Sequence, residues 1–139
     1  MLCKDRPICK HAKPRAFVAL SLAGKGDTGW DDESYGDVER PILLVTGTAD
    51  TKDKEPGKDA LARAAVYDDL KNADPRYRLF VDSPVATHGF FGFGKNSDMR
   101  MRPVVQAAVV SFLDAHLRGD ADARAYLESD ATVAAGPST

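Results

Sequence analysis

The chain lacks any apolar run near the ~18 residues that a membrane-spanning helix needs, so no such helix is expected. It is poor in cysteine: Cys3 and Cys9 are the only two. Two thiols near one end do not make the disulfide framework of a small secreted domain. With His11 they form C-x5-C-x-H, but a structural zinc site wants four ligands and no fourth lies nearby. No metal site is expected. Net charge is also scarce, at −2 from 19 basic and 21 acidic residues. That balance leaves no electrostatic footprint for a nucleic acid or an anionic membrane surface. Residues 1–13 carry Lys4, Arg6, Lys10 and Lys13 without an apolar core, which excludes a secretory signal there. The expected compartment is intracellular, and cytoplasmic if Met1 is the true start.

What is present is the composition of a globular domain. Hydrophobic residues make up 43% and charged residues 29% of 139 positions, enough for one domain. No repeat or low-complexity segment interrupts the chain. Residues 16–21 (Ala-Phe-Val-Ala-Leu-Ser) read as a short buried strand. Residues 24–39, rich in glycine and acids, read as a loop. Residues 41–46 (Pro-Ile-Leu-Leu-Val-Thr) are apolar almost throughout, which suits a central parallel strand covered on both faces.

Residues 59–72 predict an amphipathic helix with Leu61, Ala64, Ala65 and Leu70 inward and the charges outward. Residues 77–81 predict a strand, and 87–96 a loop. Pro103 opens the longest helix, with an apolar face of Val104, Val105, Ala108, Val109, Phe112, Leu113 and Leu117. Gly119 closes that helix, and Asp120 caps a short final one. Strands alternating with helices predict an α/β fold with a parallel sheet of about three strands and flanking helices. In such sheets, function gathers at the carboxyl ends of the strands.

Two constellations stand at those ends. Gly24-Lys-Gly26-Asp-Thr-Gly29 matches the dinucleotide-binding pattern G-x-G-x-x-G, with Asp50 downstream as a ribose contact. The pattern should open a helix, however, and the stretch after Gly29 is short and acidic; a surface loop is the plainer reading. The second constellation is Asp50 with His88, each just past a predicted strand. A histidine base needs a partner that fixes its tautomer and steadies the imidazolium. The other reading is an exposed turn aspartate and a loop histidine satisfied by backbone.

Ile42-Leu-Leu-Val-Thr-Gly-Thr-Ala-Asp50, a helix, and then Arg78-Leu-Phe-Val-Asp-Ser-Pro-Val-Ala-Thr-His88-Gly-Phe together resemble the C-terminal part of an α/β-hydrolase. Val109-Val-Ser-Phe-Leu-Asp-Ala-His-Leu-Arg-Gly-Asp120 with Ala125-Tyr-Leu127 resembles the ending of dienelactone-hydrolase-like and polyester-hydrolase-like members. The resemblance implies a carboxylic ester hydrolase with Asp50 as triad acid and His88 as base; Asp53 is the weaker candidate acid. It implies a small-molecule ester substrate and no cofactor. An acyl pocket would draw on Trp30, Phe90 and Phe91, with packing as the other reading.

The G-x-S-x-G elbow that carries the serine in these enzymes has no match, and the loop that forms their oxyanion hole has no counterpart either. The nearest pattern is Ala19-Leu-Ser21-Leu-Ala23, where a loop replaces the helix that should come next. Ser21 is therefore expected to be a strand end before it is a nucleophile. The expected organisation is a non-native or disordered segment at 1–14, a partial hydrolase domain at 15–128, and a flexible tail at 129–139. The alternatives are a non-catalytic remnant that associates through an exposed sheet edge, and a dinucleotide module built on Gly24, Gly26 and Gly29.

Overall fold

A computed structural model describes residues 14–26, 30–31, 33–51, 59–92 and 101–129. Cys3, Cys9, His11, Gly29, Asp53 and the tail from residue 130 lie outside the described residues.

The most apolar segment takes the middle of the sheet. Strand β2 (Ile42–Gly47) is buried along its whole length and lies between β1 (Phe17–Leu20) and β3 (Arg76–Val81). Both pairings are parallel, with Phe17 opposite Ile42 and Ile42 opposite Arg76. Side chains alternate across a strand. Leu43 and Val45 therefore enter one core with Leu79, Val81, Val105 and Phe112, while Ile42 and Leu44 enter another with Tyr35, Val66 and Leu70. Helix α1 (Ala60–Asp69) covers the second face. Helices α3 (Arg102–Leu113) and α4 (Ala121–Glu128) cover the first. The fold is α/β: a three-stranded parallel sheet with flanking helices.

Three local expectations change. Helix α1 forms, Asp59 caps it by accepting from the Ala62 amide, and Leu70 just past its end is buried as expected, but the buried residues within the helix are Ala60, Arg63, Val66 and Asp69. Leu61 stands 79% exposed. The apolar pattern misassigns the face because two charged residues point inward, Arg63 onto Asp50 and Asp69 onto Lys25 at 3.0 Å. The segment after β3 is not all loop: His88–Phe91 makes a one-turn helix, α2. Helix α3 buries Val105, Ala108 and Phe112 as its pattern suggests, then widens into a π-helical turn (Asp114–Arg118) that leaves Leu113 and Leu117 partly exposed. Gly119 ends it at φ 75°, a left-handed conformation that favours glycine.

Candidate active site

The carboxyl ends of the three strands each contribute one polar side chain to a single cluster. Ser21 follows the last residue of β1, and its amide donates to the Val45 carbonyl at 2.8 Å, so it is still held by the sheet. Its φ is 56°, in a region that a residue with a Cβ enters at a cost of about 1–3 kcal/mol.

Asp50 closes the turn after β2, its amide donating to the Gly47 carbonyl at 3.0 Å. Gly47 lets that turn sit against the segment leading to His88. A Cβ there would lie 2.6 Å from the Ala86 Cβ and 2.7 Å from the Val81 carbonyl oxygen. Thr48 joins the two segments further: its hydroxyl donates to the Ser83 carbonyl (3.2 Å) and accepts from the Ser83 amide (3.0 Å).

His88 is the first residue of α2. Thr87 caps the helix by accepting from the Phe90 amide at 3.3 Å. Phe90 and Phe91 are 2% and 3% exposed and pack edge to face in the core with Met101 and Val105. They anchor the histidine. Trp30 stacks on Tyr35 at 5.0 Å, on the opposite face of the sheet. The three aromatics therefore pack in two separate cores and do not line one acyl pocket.

Within the cluster, Asp50 Oδ1 lies 3.4 Å from His88 Nδ1. Ser21 Oγ closes a triangle with them, 2.8 Å from that oxygen and 2.6 Å from the same ring nitrogen. Asp50 Oδ2 accepts from the Thr46 hydroxyl at 2.8 Å. Asp50 is fully buried, and Arg63, 2% exposed, compensates its charge with Nε at 3.4 Å from Oδ1. The Arg63 Nη1 donates to the Ser21 carbonyl. The His88 side chain is 44% exposed, and Nε2 has no hydrogen-bond partner among the described residues.

The structure thus brings together Asp50 and His88, the pair singled out by sequence, and adds Ser21, Thr46 and Arg63. Sequence reasoning misses Arg63 although it shares a helical row with Ala60, Val66 and Leu70. That row, read without regard to charge, is the available signal. Ser21 is 8% exposed, and its one proton and one ring contact are committed inside the cluster.

Gly24 sits in close packing against α1. A Cβ on Gly24 would fall 2.2 Å from the Ala62 carbonyl oxygen of α1, and no helix forms between Trp30 and β2 among the described residues. A pyrophosphate would find no helix N-terminus there. Comparison with protein-family models gives no match, and neither a curated protein nor a solved structure matches the chain.

Proposed function

We propose that Asp50 and His88 are the acid and base of a hydrolase that cleaves carboxylic esters, on the pattern of the α/β-hydrolases whose C-terminal part the sequence resembles. One observation carries the reading. One ring nitrogen, Nδ1, is engaged beside the buried carboxylate, while Nε2 has no partner among the described residues and the side chain is 44% exposed. A general base needs this arrangement: one nitrogen held, the other presented to the proton it takes.

In this scheme Nε2 accepts the proton of the attacking hydroxyl as its oxygen bonds to the ester carbonyl carbon. The imidazolium then returns that proton to the alkoxide as the carbon–oxygen bond breaks. Asp50 opposes the positive charge between the two steps. With water as the attacker these steps release acid and alcohol; with a serine brought to Nε2 from beyond the described residues they release the alcohol and leave an acyl-serine, which water, activated by His88 in the same way, then cleaves to the acid. The scheme calls on no cofactor.

Hydrolysis of 4-nitrophenyl esters of increasing acyl length tests the proposal. The expected result is turnover above buffer near neutral pH, reduced by about 100-fold or more in His88→Ala. Equal rates for the two proteins would refute it.

A further inference from the structure

The geometry points to Ser21 as a positioning residue that joins His88 to Asp50 through its hydroxyl and fixes the tautomer of the imidazole. The inference deepens the hydrolase reading and rests on it for its catalytic consequence. The bridge itself stands on distances alone.

The direct Asp50–His88 contact of 3.4 Å is longer than the 2.7–3.2 Å of a strong N–H···O bond. The two legs through Ser21, 2.8 and 2.6 Å, are short. A hydroxyl has one proton to give and two lone pairs to offer. The carboxylate of Asp50 can only accept, so the Ser21 proton goes to Oδ1. Oγ must then accept from the ring, which requires the proton of the neutral imidazole on Nδ1. The lone pair is left on Nε2, the ring nitrogen without a partner among the described residues. If Ser21 instead gave its proton to Nδ1, two acceptor oxygens would face each other at 2.8 Å with nothing between them.

The backbone supports the same assignment. Ser21 holds φ 56°, with its amide fixed on Val45 and its carbonyl on the Arg63 guanidinium. A non-glycine residue stays in that region only where its surroundings over-determine it. Here those ties hold Oγ against both acid and base. No proton moves along the bridge during turnover. When Nε2 takes a proton, the positive ring donates more strongly to Oγ, and the polarised hydroxyl in turn donates more strongly to the Asp50 carboxylate. A hydroxyl serving this role is not the nucleophile.

The test is Ser21→Gly in the whole chain. Glycine accepts the positive φ without strain, so the variant removes the hydroxyl and leaves the backbone conformation accessible. Long-range ¹H–¹⁵N correlation on the His88 ring is expected to find the Nδ1–H tautomer in the native protein. In Ser21→Gly the population should shift toward Nε2–H. For 4-nitrophenyl acetate, kcat is expected to fall about tenfold with KM unchanged. A fluorophosphonate probe should leave Ser21 unlabelled. An Nε2–H native ring, a tautomer that does not change in Ser21→Gly, or a phosphonylated Ser21 would each overturn the assignment. A native protein without esterase activity whose Nδ1–H tautomer is lost in Ser21→Gly would keep the bridge and discard the hydrolase.

Discussion

At the scale of single residues, the site rests on a buried charge that has an answer. Asp50 is fully buried and Arg63 nearly so, and the guanidinium serves both the carboxylate and the Ser21 carbonyl. Removing one partner of a buried pair strands the other in a medium that solvates it poorly. Arg63→Met is therefore expected to destabilise the protein by about 3–5 kcal/mol in urea unfolding, with Asp50→Asn in the same chain recovering part of the loss. An Arg63→Met chain as stable as the native one would show that Asp50 does not depend on it. Asp50 and His88 are legible in the sequence because each comes just after an apolar strand, where α/β sheets gather chemistry. Arg63 is hidden because a charge at an inward helical position looks like part of the solvent face. The Ser21 bridge is hidden for another reason: it depends on a left-handed backbone and on three loops meeting, and no local pattern records either.

At the scale of elements, legibility tracks apolar continuity. Strand β2 stands out because both its faces are covered, and α3 because its apolar residues recur at helical spacing. Helix α2 is invisible because four residues with a glycine among them carry no period. The π-helical turn after α3 is equally unannounced, and it places His116 against Tyr77 and Phe112, with ring centroids at 5.5 and 4.9 Å.

Burial first, then the Arg124 guanidinium, lowers the His116 pKa from 6.5, against a smaller raising effect of Glu128. The folded state thus binds the His116 proton less readily than the unfolded chain does. The stability this contributes is complete above about pH 6.5 and is lost as pH falls through the lowered value. His116→Phe should remove that component, so its urea midpoint falls less than the native one between pH 7.5 and 5. Parallel losses in the two proteins would contradict the account.

At the scale of the whole molecule, the sheet is covered on its faces, and among the described residues β1 and β3 are both edge strands, of which β1 is the shorter. Amides of Phe17 and Ser21 donate to the β2 side, so those of Val18 and Leu20 point away from it. Among the described residues no strand pairs with them. An unpaired edge of this kind recruits another strand, and we propose that two copies of the chain meet there. Light scattering coupled to size exclusion should show mass rising with concentration. Val18→Pro, which deletes one outward donor and none used by β2, should suppress the rise. A native chain that stays monomeric up to near-millimolar concentration would rule this out.

The central claim, that Asp50 and His88 work as one acid–base unit, is tested most directly by a double-mutant cycle. It compares kcat for 4-nitrophenyl acetate in the native protein, Asp50→Asn, His88→Ala and the double variant, each verified as folded by circular dichroism. Residues that act together lose their effect together. The double variant is expected to be no slower than His88→Ala alone. Losses that multiply, or a His88→Ala variant as fast as the native protein, would contradict it.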